Sequence, residues 1–179
     1  MTLFERNTTR LRLIPLPPEL MTIVLDGWDQ LPNLIGIETA GLQIPEVFRE
    51  EFPQGLRHCN AMCQAHPDEY CWYTNWLIVL REENRVIGGM GLNGPTDELG
   101  NVFTGYWIDD NYQRCGFMSE ALSGLCHWVF EDSNVHAVTA NTPEENIASQ
   151  RVLLKNGFQR KGKFEGHPFY VLKRSNAKL

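Results

Sequence analysis

No apolar run in this chain approaches the roughly 18 residues of a membrane span, so no transmembrane helix is expected. The opening residues, MTLFERNTTR, lack the apolar stretch of a secretory signal peptide, and a cytoplasmic location is the expectation. The five cysteines (Cys59, Cys63, Cys71, Cys115 and Cys126) are odd in number and follow no metal or redox spacing. They read as reduced thiols, and no metal is expected. A basic excess is missing too. The formal net charge of −6 removes the electrostatic ground for holding a nucleic-acid backbone, and favours a cationic amine as partner. There is no repeat, low-complexity run or linker, so the 179 residues are expected to form one domain, 1–179, long enough to bury a core.

What remains is an ordinary globular composition, 42% hydrophobic and 21% charged, organised around one stretch from Val102 to Phe130. Val102, Phe103, Tyr106, Trp107 and Ile108 predict a strand, and Asp109-Asp110-Asn111 a polar turn. After Gly116, the spacing of Met118, Ala121, Leu122, Leu125 and Val129 predicts a helix with one apolar stripe. The first amides of a helix have no internal partner and lie at the positive end of its dipole, so an anion is stabilised there. Gly116 lets a ligand approach the backbone, and Arg114 adds charge. The stretch contains neither G-x-G-x-x-G nor G-K-[ST], so it is neither a dinucleotide fingerprint nor a nucleotide P-loop. On physics alone it is a phosphate-binding candidate or an ordinary strand-to-helix turn.

Gln113-Arg114-Cys115-Gly116-Phe117-Met118 resembles the acyl-CoA pyrophosphate loop of the GNAT superfamily of N-acetyltransferases, Q/R-x-x-G-x-G/A, with Met118 where Gly or Ala is usual. Further on, Asn146-Ile147-Ala148-Ser149 and Lys155-Asn156-Gly157-Phe158 resemble the N-x-x-S…K-x-G-F signature of the Rim-type branch, which includes ribosomal-protein N-acetyltransferases. Residues Thr9 to Leu16, TRLRLIPL, are similar to the first strand of that branch. The resemblance covers nearly the whole chain. It implies an α/β (α+β) GNAT fold: a mixed, mostly antiparallel sheet splayed at its central strand, with helices on both faces. It also implies acetyl-CoA as co-substrate, an amine acceptor (small molecule or protein N-terminus), and a monomer or homodimer.

The remaining elements are read from local pattern. A short helix is expected from Glu19 to Leu25, and no clear period from Gly27 to Pro45. A helix from Pro45 to Cys63 is expected to break at Pro53 and Gly55. Trp72 to Glu82 and Val86 to Leu92 predict a hairpin about Glu83-Asn84-Arg85, with Gly88-Gly89 marking a bulge or a close backbone approach. Val135 to Ala140 predicts a strand, and Asn146 to Lys155 a helix capped by Asn146 and stopped by Gly157. Phe158 to Phe164 and Phe169 to Arg174 predict a closing pair of strands.

Acetylating an amine requires a polarised thioester carbonyl, a neutral amine and a proton for the departing thiolate. A bulge in the central strand would free backbone amides for a ligand. The resemblance then implies that the Tyr106 amide faces the acetyl oxygen and the Ile108 amide the pantetheine arm; two residues apart, they point to one side. Both residues equally suit a core strand. For the proton, the family uses a tyrosine on the last helix or the serine of N-x-x-S. The last helix here has no tyrosine, so Ser149 is the expected general acid, or else only the third residue of a capped turn. Asn146 resembles the asparagine that binds the cofactor arm, and equally suits a plain N-cap. A family glutamate on the central strand falls on Val102, which leaves the base open among Asp97, Glu98, Glu165, His167 and Glu38, or to no base at all. Two readings stand: an acetyl-CoA-dependent N-acetyltransferase acting by direct attack in a ternary complex, and a non-catalytic CoA-binding sensor or scaffold. The Asn146/Ser149 pair favours the enzyme.

Overall fold

Eight short segments build a single sheet, seen here in a computed structural model that describes residues 3–46 and 52–177. In chain order the strands are β1 (Arg6–Asn7), β2 (Leu11–Pro15), β3 (Asn75–Leu80), β4 (Arg85–Leu92), β5 (Asn101–Ile108), β6 (Ala137–Asn141), β7 (Gln159–Phe164) and β8 (His167–Lys173). Their spatial order is β1-β2-β3-β4-β5-β6-β8-β7, and every pairing is antiparallel except β5 with β6. Helices α1 (Pro18–Asp26), α2 (Leu31–Ile35) and α3 (Phe52–Ala65) cover one face, and α4 (Phe117–Val129) and α5 (Ile147–Lys155) the other. The fold expected from the resemblance is the fold observed. No helix among the described residues is long and apolar enough to cross a membrane.

The period-2 pattern of β3 supplies both cores. Trp76, Ile78 and Leu80 point toward α4, while Leu77 and Val79 point toward α1 and α3. On α4 the expected stripe is buried in full, joined by Cys126. β7 differs: all six of its residues are exposed, and its register against β8 slips between Arg160 and Lys163.

Several boundaries differ from expectation. β3 starts at Asn75 rather than Trp72, because Pro67–Trp72 coils into 3₁₀ turns and the Cys71 carbonyl accepts the Trp76 indole N–H at 2.8 Å. α3 runs through Pro53 and Gly55 without a break; Pro53 sits at its described start, where a missing N–H costs little. Residues 47–51 of that expected helix lie outside the described residues. The stretch read as aperiodic holds a 3₁₀ turn, Trp28–Gln30, then α2, and Glu38 bridges to Arg85.

The Gly88-Gly89 pair marks both features expected of it. The β3–β4 register shifts between Ile78, opposite Gly88, and Val79, opposite Val86, so Ile87 is the extra residue. A Cβ on Gly88 would lie 2.6 Å from the Trp107 carbonyl oxygen, and one on Gly89 2.7 Å from Trp107 Nε1.

A polar clamp ties the start of the sheet to the start of α4. The Glu120 carboxylate accepts from Thr8 Oγ1 (2.6 Å), Arg10 N (2.7 Å) and Arg10 Nε (2.7 Å). Arg10 also donates from Nη1 to the Cys115 carbonyl at 3.1 Å and lies 4.3 Å over the Phe117 ring. Burial alone would raise the Glu120 carboxyl; the Thr8 and Arg10 hydrogen bonds and the Arg10 charge outweigh it and hold it below the ordinary value.

Gly88→Ala is expected to destabilise the protein by about 1–3 kcal/mol in urea unfolding, because its methyl group meets backbone that cannot yield. Gly105→Ala, where a Cβ meets nothing within 4 Å, serves as the control and should leave the midpoint unchanged. Glu120→Gln should cost about 1–2 kcal/mol at pH 7, the screened worth of a charge-assisted cluster. A carboxyl depressed by folding adds stability above its unfolded value and loses it as pH falls through the folded one. The gap between wild type and Glu120→Gln should therefore close in acid.

Candidate active site

The sheet opens at β5. On the β4 side pairing is continuous, from Leu92 opposite Thr104 to Gly88 opposite Ile108. On the β6 side it ends at Phe103 opposite Thr139. The Asn93 amide donates to the Phe103 carbonyl at 3.0 Å, and the Asp109 amide to the Ile87 carbonyl at 2.9 Å. Those two bonds fix the phase of the strand. Phe103, Gly105, Trp107 and Asp109 turn their backbone groups to β4; Tyr106 and Ile108 turn theirs to the side that β6 has left. The amides lie free of the sheet as expected, but the cause differs. β5 has no register shift against β4; the nearest bulge is at Ile87, between β4 and β3. Divergence of two strands, rather than a bulge in one, opens the sheet.

The loop after β5 is held from within. Asp109 is 2% exposed, and its Oδ1 accepts from Asn111 N (2.9 Å) and Asn111 Nδ2 (3.0 Å) while Oδ2 accepts from Gln43 N (2.8 Å). Gln113 Nε2 donates to Asp110 Oδ1 at 2.6 Å. Arg114 (φ 63°) and Gly116 (φ 79°) are both left-handed and flank the exposed Cys115. For Arg114 that region is costly, so the surroundings must impose it. α4 then starts with no side-chain cap, leaving its first amides bare. The Arg10 guanidinium comes within 3.6 Å of where a Cβ on Gly116 would lie, a second cation beside the loop. Met118 differs from the other loop residues: its side chain is buried in the core, so only its backbone remains for a ligand.

At the start of α5, Asn146 Oδ1 accepts from the Ser149 amide at 3.0 Å, the expected cap. Ser149 Oγ lies 2.9 Å from the Tyr106 phenol oxygen, which is also 3.3 Å from the Ser149 carbonyl. Burial pushes the phenol up to about 12, against a smaller downward pull from the Ser149 hydrogen bond. Strand β5 and helix α5 thus meet at these two hydroxyls.

The candidate bases are scattered. Asp97 accepts from the Leu99 and Asn101 amides at the start of β5, the end remote from the opening, and Glu98 is its neighbour there. Glu38 accepts from the Thr39 and Ala40 amides, which lower its carboxyl. Glu165 and His167 lie at the turn between β7 and β8, beyond Asn141, at the same end of the sheet as Ile108. Val102 is fully buried core.

Sequence reasoning missed the Arg10–Glu120 clamp, the Asp109 tether and the Tyr106 phenol. Arg10 lies inside TRLRLIPL, whose alternation of apolar and basic residues signals a strand but not a partner for the arginine. Asp109 has the local pattern of a turn residue, and nothing local signals that β5 meets α5. Gly89-Met90-Gly91-Leu92-Asn93-Gly94 has dinucleotide-loop spacing, but it runs along and just past β4 with no helix after it.

Residues 39–159 match the family described as Acetyltransferase (GNAT) domain. The chain is similar to the uncharacterized N-acetyltransferase YjdG of Bacillus subtilis (strain 168), 29% identical over 158 residues, covering 88% of this chain and 90% of that protein. It is 27% identical over 84 residues to the ribosomal-protein-serine acetyltransferase of Escherichia coli (strain K12), covering 46% of each. Among solved structures, RimL, a ribosomal L7/L12 alpha-N-protein acetyltransferase in complex with coenzyme A, superposes with a TM-score of 0.66 at 17% identity, over 95% of this chain and 98% of that one. The opened sheet, the uncapped helix behind a left-handed loop, and a match over two-thirds of the sequence agree: the chain belongs to the GNAT family of acetyltransferases and is an N-acetyltransferase by that membership.

Proposed function

We propose that this chain, as one domain, transfers an acetyl group from acetyl-CoA to a primary amine by direct attack in a ternary complex. The observation that carries the reading is the opening between β5 and β6, which has the uncapped start of α4 at one end and Ser149 over it. The residues fit such a co-substrate. Bare amides at Phe117 and Met118, the open face of Gly116 and the Arg114 and Arg10 cations suit a pyrophosphate. Gln113 and Cys115 hold the loop's path through the Gln113–Asp110 bond and the Arg10 contact to the Cys115 carbonyl. The Ile108 amide suits the pantetheine arm. So does Asn146, whose Oδ1 is engaged in the cap while its Nδ2 can donate.

The thioester supplies an activated acetyl group. The Tyr106 amide polarises its carbonyl, the amine nitrogen bonds to the carbonyl carbon, the carbon–sulfur bond breaks, and Ser149 gives a proton to the sulfur. The proton lost by the ammonium returns through water to Ser149 Oγ, which restores the acid. Enzymes sharing this fold are named for ribosomal-protein α-amino groups and for spermidine, so both amine classes belong among the acceptors tried.

Gly116→Asp is expected to weaken acetyl-CoA binding at least tenfold by calorimetry, which needs only ~1.4 kcal/mol. Gly116→Ala adds backbone strain without charge, so the difference between the two variants reads the phosphate contact. A panel of N-terminal peptides and polyamines, followed by thiol release from acetyl-CoA, should reveal at least one acceptor. With it, Ser149→Ala should lower turnover by ~10²-fold or more while acetyl-CoA affinity stays constant. A protein that binds acetyl-CoA yet releases no thiol with any amine would instead be a scaffold.

A further inference from the structure

The contact between Tyr106 and Ser149 carries more than the strand–helix junction. A helical serine ordinarily returns its hydroxyl proton to a carbonyl one turn back. Ser149 instead meets a phenol delivered from the sheet, 2.9 Å from its Oγ. The phenol has one proton and two acceptors in reach, Ser149 Oγ at 2.9 Å and the Ser149 carbonyl at 3.3 Å. The nearer fits an ordinary O–H···O bond; the farther is long for one. With the phenol donating to Oγ, the serine proton is left to turn toward the opening.

We propose that the Tyr106 phenol is a positioning residue for Ser149: by donating to Oγ it turns the serine hydroxyl toward the leaving sulfur and stabilises negative charge that gathers on Oγ as that proton departs. The inference rests on Ser149 being the acid. A hydroxyl that accepts one hydrogen bond becomes a stronger donor in the next. The Tyr106 phenol is pushed up to about 12 by burial, so it keeps its proton at neutral pH and is available to donate to Oγ. Cys126 of α4 and Tyr170 of β8 are the other titratable groups facing it, and the buried Cys126 thiol is itself pushed up to about 12. No charged neighbour among these competes for the hydrogen bond. One residue thereby serves both ends of the reacting group, its amide at the carbonyl and its phenol behind the acid.

The test needs no acceptor. Affinities for CoA and for desulfo-CoA, which lacks the sulfur, are measured by calorimetry at pH 7 and pH 9.5 with reductant present to keep Cys115 from pairing with CoA. A donor aimed at the sulfur favours the thiolate, so in the wild type the CoA-to-desulfo-CoA affinity ratio should rise roughly fivefold or more with pH. Tyr106→Phe keeps the ring and the amide; it should leave desulfo-CoA binding unchanged and cut that rise below about twofold. Ser149→Ala should do the same, and the double variant should add nothing further. A Tyr106→Phe protein that keeps the full rise while Ser149→Ala loses it overturns the phenol's role alone. Additive losses in the double variant, or weaker desulfo-CoA binding by Tyr106→Phe, also overturn it. A full rise in Ser149→Ala overturns the serine as acid, a different failure.

Discussion

A strand inside a sheet carries donors and acceptors along both edges, and leaving a buried one unmade costs about 1–3 kcal/mol. β5 meets that demand in full toward β4 but toward β6 only as far as Phe103. Beyond that residue its outward amides are held in strand geometry with no strand to receive them. A free peptide would relax by rotating; β5 cannot, because Gly88 and Gly89 bring β4 too close to Trp107 for the backbone to shift. Rigid pairing on one side therefore preserves the unpaired edge on the other. Donors fixed before a ligand arrives need no reorganisation when charge develops on it, which is how such a site acts on a carbonyl.

The supports around that edge come from distant parts of the chain. Glu120 fastens the entry of β2 to the first turn of α4, and Arg10 braces the loop through the Cys115 carbonyl and the Phe117 ring. Asp109 fastens the segment at Gln43 to the end of β5. Both carboxylates accept chiefly from nearby backbone and neutral donors, so they act as multi-point fasteners rather than as surface ion pairs of small worth. A loop with Arg114 and Gly116 both left-handed needs such bracing.

How much of this was legible in the sequence follows from range. The α4 stripe, the Asn146 cap and the bulge at the glycine pair depend on residues within a few positions of one another, and periodicity or propensity reveals them. The strand divergence depends on where β6 stops pairing, a property of two segments 36 residues apart in register, and no local pattern records it. The phenol is the sharper case. The last helix carries no tyrosine, yet the structure brings one to its serine from the central strand, 43 residues away. Met118 shows the converse: a loop motif nominated it, but its own side chain belongs to the core.

The outer strand β7 has a consequence for the protein in crowded solution. A half-open sheet invites another copy to add its own strand, the route to aggregates. Here the exposed edge carries Arg160, Lys161 and Lys163 around a register slip, on a chain whose overall charge is negative. Two such edges brought together would face each other with like charge and mismatched backbone spacing. The sheet can thus remain open where a substrate must enter without becoming adhesive at its rim.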